Sequence, residues 1–259
     1  MKHENYENFT SVSWFAKGIM PALSLFVLTF CGLALEVSLT RLYSVIFLQG
    51  YVYLVISLSV AGLGFGALWV YYLSEKSLQL IFQLLSFFPL LTFILIVSVN
   101  QFALQFVFSL LPTVLLFVYI GLSTTYLFQK TSLPISLLYF IDLCGAASGA
   151  ISSFYLLNAF GAVKVIVLLL VLMSFSIGLI VHLFFRTEKY WSLIYLLVVA
   201  ISISLFCLDL NHVVSPQHNR LKDMSTVLED KQRKSRIAET RWTAFGRSDL
   251  VETGNPLFK

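Results

Sequence analysis

The sequence predicts an all-α fold: a polytopic bundle of about seven transmembrane helices followed by a short polar C-terminal tail. The chain has 259 residues, of which 58% are hydrophobic and only 12% are charged, and its mean hydropathy is +0.87. About a quarter of the residues of a soluble domain are charged, so these charges are too few to cover a folded core in water. Lipid must therefore cover most of the surface.

The predicted spans are the segments that hold roughly 20 mainly apolar residues each, which is the length that crosses a bilayer core. Short connections predict that neighbouring spans are antiparallel, and their residues favour turns, as at Gly50, Leu133–Pro134 and Gly161. The connection at Asn100–Gln101 carries no charge, so a re-entrant pair there would lower the count. The spans are residues 19–40, 51–73, 78–99, 103–128, 135–160, 163–185 and 191–210.

Composition divides the chain into a polar N-terminal segment (1–18), a transmembrane bundle (19–210) and a soluble tail (211–259). Ser215–Pro216 ends the last predicted helix. Residues 217–236 form either a short amphipathic helix on the membrane surface or a solvated connector. Residues 240–252, TRWTAFGRSDLVE, have strand-like character. The N-terminus has no evident cleavage site, so we expect it to be retained.

Orientation in the membrane is ambiguous from the distribution of Lys and Arg. Short loops place slightly more of them on the N-terminal side, which favours a cytoplasmic N-terminus and an external tail. When the whole basic tail is counted, the excess moves to the other side. We expect an integral protein of a bacterial inner membrane with its orientation open.

Ionisable residues inside predicted spans are the sharpest candidates for function, because each costs a few kcal/mol near the bilayer centre. Glu36 lies late in the first span, Arg41 lies just beyond it, and Asp142 lies about two turns into the fifth. Glu36 and Arg41 either face a substrate or form a buried pair that fixes the first two helices. Asp142 either binds a cation, carries a proton or caps an interrupted helix. Helical rise predicts that Glu36 and Asp142 lie near opposite leaflets, so direct pairing is not expected.

Two glycine pairs at GxxxG spacing, Gly62 with Gly66 and Gly145 with Gly149, predict close helix packing. Packing within one bundle is the main interpretation, and a homodimer face is the alternative. Neither glycine run has the strand–turn–helix context of a phosphate loop. The sequence offers no nucleophile–base constellation and no metal-type spacing, so we expect no catalytic residue, no metal and no cofactor. No basic face with interleaved aromatics indicates nucleic-acid binding.

Three separated blocks resemble the membrane region of spermidine synthase-like (polyamine aminopropyltransferase-like) integral membrane proteins. GLALEVSLTRLYSVIFLQG followed by LSVAGLGFGALW resembles an E-x-x-x-T-R segment and a glycine-rich second span. YFIDLCGAASGAISSFYLLNAFGAVKV resembles a later span with a D-x-x-G-x-x-x-G pattern, and TRWTAFGRSDLVE resembles the W-x-x-F-x-R-x-D-x-V-E stretch that leads into the soluble part. The blocks occur in matching order. By this resemblance the tail motif comprises Trp242, Phe245, Arg247, Asp249 and Glu252.

The resemblance implies a membrane half without the catalytic nucleotide-binding domain, whether as a truncated product, a fragment or one member of a split pair. We therefore expect a non-catalytic module that anchors or partners a synthase-like domain, and an aminopropyltransferase-like activity only in a larger assembly. Two alternatives stay open. The first is a small transporter or channel-like protein with a polar path near Asp142 and Glu36/Arg41. The second is an assembly subunit of a membrane complex. The expected partners are membrane lipids, a synthase-like domain and, through the glycine faces, a second copy.

Overall fold

The computed structural model describes residues 18–46, 49–85, 105–185, 197, 200–201, 203–204 and 236–252. These residues form long helices and one small antiparallel β-hairpin. The helices are α1 (Met20–Ile46), α2 (Gln49–Tyr72), α3 (Glu75–Leu85), α4 (Gln105–Lys130) and α5 (Ile135–Phe184), and the strands are β1 (Arg236–Thr243) and β2 (Gly246–Glu252).

The chain is a membrane-embedded protein, because four of its described helices are long and apolar enough to cross a bilayer. These are α1, α2, α4 and α5. The predicted third span is represented only by α3, since residues 86–104 lie outside the described part, and most of residues 191–210 lie outside it too. The described residues therefore establish four such helices and not the predicted seven. The sequence had placed Arg41 just beyond the first span. Helix α1 continues to Ile46, however, so Arg41 lies inside this helix.

Helix α5 folds back on itself at Gly161, where the backbone leaves the helical region with φ 77° and ψ 163°. A side chain is strongly disfavoured at these angles, which glycine adopts readily. Gly145 packs against Phe26 of α1, whereas the Ser176 hydroxyl donates a 2.8 Å hydrogen bond to the Ser24 carbonyl of the same helix. In a straight helix Gly145 and Ser176 would be about 46 Å apart. Residues 135–160 therefore form a first arm, and residues 162–184 form a second arm that runs back beside it.

Contacts between helices fix their relative directions. Gly62 of α2 lies against Val114 of α4, and Gly66 lies against Val118, so these two helices are parallel. Between two parallel helices the chain must return to the side from which the first one started. Helix α3 begins this return, and its described length is about 16 Å. Residues 86–104, which contain most of the predicted third span, lie outside the described part.

The two ends of the bundle can be told apart by their contacts. At the N-terminal face, Gly18 lies close to Leu133, and Lys130 at the end of α4 forms an ion pair with Glu75 at the start of α3. The hydrogen bond from Lys130 and its positive charge lower the pKa of the exposed Glu75. At the opposite end, called the hairpin face, the β-hairpin packs against α5 close to Gly161. The start of α1 and the hairpin thus lie at opposite ends of the bundle.

Exposed tyrosine side chains mark two aromatic levels on the outside of the bundle. On α2, Tyr53 lies toward the hairpin face and Tyr71 toward the N-terminal face, about 27 Å away by helical rise. On the first arm of α5, Tyr155 and Tyr139 lie in the same order, about 24 Å apart. Tyr and Trp concentrate at both surfaces of a hydrocarbon core about 30 Å thick. These levels therefore correspond to the two bilayer interfaces, and the helices between them present apolar side chains to lipid.

Helix α1 lies at the centre of the bundle. It packs mainly against both arms of α5, while α2 packs mainly against α4. The Tyr43 hydroxyl of α1 forms a buried 2.7 Å hydrogen bond with Thr113 of α4 and thereby ties these two antiparallel helices together near the hairpin face. The bond gives both buried hydroxyl groups a partner, as buried polar groups require.

Candidate functional site

A cavity of about 290 Å³ lies inside the bundle between α1, α2, α4 and the first arm of α5. Its walls contain Glu36 and Asp142, the two acidic residues inside predicted spans that the sequence singled out as candidates. The residues that line it are Thr29, Gly32, Leu33, Glu36, Leu63, Ala67, Phe117, Ile120, Gly121, Thr124, Thr125, Asp142 and Ala146.

Glu36 and Asp142 line the same cavity at different depths. Gly145 packs against Phe26 and Thr29 of α1 and therefore lies at their depth. The first arm of α5 runs parallel to α1, so Asp142 lies about one turn nearer the N-terminal face than Gly145 does. Glu36 then lies roughly 15 Å closer to the hairpin face than Asp142 does. The sequence argument that the two carboxylates lie at different levels agrees with this geometry. The sequence did not predict that one cavity extends from one carboxylate toward the other.

The threonines of the cavity contribute hydrogen-bond acceptors. The Thr29 hydroxyl donates to the Leu25 carbonyl at 3.1 Å, and the Thr124 hydroxyl donates to the Ile120 carbonyl at 3.0 Å. A hydroxyl has one proton and two lone pairs, so a donated proton leaves only lone pairs for a ligand. These threonines and the two carboxylates therefore present oxygen atoms that accept hydrogen bonds or bind a cation.

Among the described residues that line the cavity there is no Lys, Arg or His. Two acidic side chains thus face the space without a basic neighbour in its walls. Isolated charges are costly in a bilayer, and they ordinarily pair with an opposite charge or face a water-filled path. Two acidic side chains in such a cavity are chemically suited to bind a positively charged ligand.

Arg41 does not line the cavity, although the sequence grouped it with Glu36 and Asp142. The described residues show no ion pair between Arg41 and Glu36, and the Arg41 Nε atom is buried without a hydrogen-bond partner. Five positions separate the two residues on one helix, so they do not share a face. The structure therefore brings together two of the three polar candidates and leaves Arg41 outside.

The two glycine pairs lie at close helix crossings within the chain. A Cβ atom at Gly62 would lie 2.9 Å from the Val114 carbonyl oxygen, and one at Gly66 would overlap Val118. Gly145 and Gly149 likewise face the backbone of α1 at Phe26 and Phe30. All four positions are thus used for packing between helices of one bundle.

The tail motif forms the β-hairpin. Trp242, Arg247 and Asp249 lie on its inner face, where the Arg247 Nε atom donates to Asp249 at 2.8 Å and the guanidinium group lies 5.9 Å from the centre of the Trp242 ring. Phe245 lies in the exposed turn. Glu252 pairs with Arg236 at the open end of the hairpin, where both side chains are exposed.

Sequence reasoning did not single out Thr29, Thr124, Thr125 or Asn158. Thr29, Gly32 and Glu36 follow one another at spacings of three and four residues, which is the signature of one helix face, and this signal could have identified Thr29. Thr124 and Thr125 gave no comparable signal, because only the crossing of α4 with α1 brings them near Asp142. Asn158 holds the hairpin by accepting a 2.9 Å hydrogen bond from the Ala244 backbone N–H.

No family model, no curated protein and no solved structure matches the chain.

Proposed function

We propose that this protein binds an organic ammonium ion inside the membrane, as the non-catalytic membrane module of a spermidine synthase-like system. The observation that carries the proposal is the cavity lined by Glu36 and Asp142, with threonine oxygens between them and no basic residue in its described walls. An ammonium group donates up to three hydrogen bonds and accepts none, so it complements a wall of acceptors. Apolar lining such as Phe117 and Ile120 would contact the hydrocarbon part of the same ligand.

The resemblance to spermidine synthase-like proteins narrows the ligand to an amine of the polyamine class. Two carboxylates whose depths in the bundle differ by roughly 15 Å suit a long, flexible chain with an ammonium group at each end, which could approach both acids at once. In this proposal the module also anchors a synthase-like domain, or partners one, at the face where the β-hairpin lies. The setting is a bacterial inner membrane, crossed by the full set of seven predicted spans. The parallel directions of α2 and α4 support the third of these spans.

The test is equilibrium binding of labelled spermidine to the purified protein in detergent. Asp142→Asn and Glu36→Gln keep the shape of each side chain and remove its charge. A hydrogen bond to a charged group contributes about 1.5–3 kcal/mol, so each variant should bind roughly 10- to 100-fold more weakly. The Glu75→Gln variant is the matched control, because Glu75 is an exposed acid paired with Lys130 at the N-terminal face.

Binding of spermidine with equal affinity by Asp142→Asn, Glu36→Gln and the unchanged protein would contradict the proposal. Equal weakening by Glu75→Gln would contradict it as well, because the effect would then follow net charge and not the cavity. The purified chain is also expected to transfer no aminopropyl group from decarboxylated S-adenosylmethionine. Measured turnover would show that the module is an enzyme.

Transport of the same class of cation is a second candidate function. It is favoured by the different depths of Glu36 and Asp142, because acids spaced along a path can hold a cation in successive positions. Uptake of labelled spermidine into proteoliposomes, lost in Asp142→Asn, would establish it. Uptake that is unaffected by this substitution would exclude a path through Asp142. The third alternative, an assembly subunit joined through its glycine faces, has less support because these glycines already pack inside the bundle.

A further inference from the structure

The β-hairpin is polarised between an apolar turn and a charged open end. Its turn contains Ala244 and Phe245, and the Phe245 side chain is 80% exposed. At the other end, Arg236 and Glu252 form an exposed ion pair across the two strands. A large aromatic side chain in a turn is costly if it faces water, so the polarity indicates different surroundings for the two ends.

The turn lies beside the outer surface of the first arm of α5. The Phe245 ring contacts the Phe154 ring edge to face, with centroids 6.1 Å apart, and Phe154 in turn contacts Tyr155 at 5.5 Å. Phe154 and Tyr155 are both exposed, and Tyr155 belongs to the aromatic level near the hairpin face. Phe245 therefore extends an exposed aromatic surface that already lies where the helix leaves the hydrocarbon core.

A hydrogen bond holds the turn in this position. The Ala244 backbone N–H donates to the Asn158 side-chain oxygen at 2.9 Å, and Asn158 lies one turn beyond Phe154 on the same arm. On the inner face of the hairpin, Trp242 and Ala244 are buried. The hairpin is thus docked on α5 by its inner face, and the Phe245 ring stays exposed beside Phe154.

We propose that the hairpin turn inserts Phe245 into the lipid interface of the bilayer and anchors the tail to the membrane surface. The partner is phospholipid at the boundary between headgroups and acyl chains, where aromatic side chains are enriched. The continuity of Phe245 with Phe154 and Tyr155 supports lipid as the occupant, because the first arm of α5 exposes large apolar side chains along its length. The charged open end stays in water.

A spin-label experiment tests this insertion in vesicles of phosphatidylcholine. Phe245→Cys and, separately, Glu239→Cys are made in a protein that carries Cys144→Ser and Cys207→Ser, with the buried Cys31 retained, and are labelled with a nitroxide. A version without an added cysteine measures background labelling. Glu239 is an exposed residue of β1, about 15 Å or more from the turn, and it serves as the matched position.

For each label we compare the rate of collision with molecular oxygen, which concentrates in lipid, to the rate of collision with a water-soluble nickel complex. This ratio is expected to be several-fold higher for the label at position 245 than for the label at position 239. Equal access of the nickel complex to both labels would place the turn in water and overturn the proposal. A label at 245 that meets neither reagent would place the turn against protein, such as a second copy or a soluble domain, and would overturn it too. Since Phe245 is exposed, its replacement should leave the bundle folded, which circular dichroism checks.

Discussion

Replacing Arg247 with alanine is expected to release the β-hairpin from the bundle, at a cost of about 3–5 kcal/mol. The side chains of Arg247 and Asp249 are only 5% and 3% exposed, and they form an ion pair at 2.8 Å. The Thr240 hydroxyl also donates to Asp249 at 2.5 Å. Without the guanidinium group, the Asp249 carboxylate would stay buried with its charge uncompensated. Opening of the hairpin to water relieves this cost, so the loss of structure should be confined to the hairpin.

Hydrogen exchange of the backbone in residues 236–252 measures this release. In Arg247→Ala, exchange there should accelerate strongly while exchange in α1 stays slow. Arg241→Ala is the control, because Arg241 pairs with Glu239 on the exposed outer face and such pairs contribute only about 0–1 kcal/mol. In the double variant Arg247→Ala/Asp249→Ala the acceleration should be smaller, because no unpaired charge remains. If exchange in residues 236–252 of the Arg247→Ala variant stays as slow as in the unchanged protein, the ion pair between Arg247 and Asp249 does not hold the hairpin.

Replacing Gly66 with leucine is expected to force α2 away from α4 and to lower the free energy of unfolding by about 3 kcal/mol, the upper end of the usual cost of overpacking. A Cβ atom at Gly66 would overlap the Val118 carbonyl oxygen and would lie 2.7 Å from the Leu122 backbone nitrogen. These neighbours are backbone atoms of a helix and cannot rotate away as a side chain would. Close approach of helix backbones is what small residues permit in membranes.

Gly64→Leu supplies the matched control one half-turn away on the same helix. A Cβ atom at Gly64 would meet nothing within 4 Å, so a leucine there would extend into lipid. Thermal unfolding in detergent should show a clear loss for Gly66→Leu and little change for Gly64→Leu. Because Leu63 and Ala67 lie near Gly66 and line the cavity, Gly66→Leu should also weaken the proposed binding of spermidine. Equal thermal stability of the two variants would mean that the crossing is not as tight as described.

The tail motif shows how far local pattern predicts structure. The strand-like character of residues 240–252 was visible in the sequence, and the structure places them in a two-stranded hairpin. In that register Trp242 is paired with Arg247, and Thr240 with Asp249, so three residues of the motif (Trp242, Arg247 and Asp249) meet on one face. Which face is buried could not be predicted, because that depends on the docking of the turn on Asn158, far away in the sequence.

The candidate site required long-range contacts from the start. Glu36 and Asp142 were identified because an ionisable residue in a long apolar run is visible without any neighbour. That they line one cavity follows from the parallel packing of α1 with the first arm of α5, and the sequence carries no direct record of that packing. Arg41 does not line the cavity although it is close to Glu36 in the chain, because the two residues do not share a face of α1.

By itself the sequence determined that this protein is helical and membrane-embedded, because hydrophobicity summed along each segment is a local property that a bilayer reads directly. It also identified the chain reversals at Leu133–Pro134 and Gly161, since backbone freedom belongs to the residue, whereas the connection predicted at Gly50 was wrong because Gly50 lies inside α2. Only the tertiary structure decided which helices are neighbours, which polar groups share a cavity and which face of the hairpin is buried. These outcomes depend on close packing between distant segments, where the fit of backbone to backbone at a few glycines selects one arrangement among many that hydrophobicity alone allows.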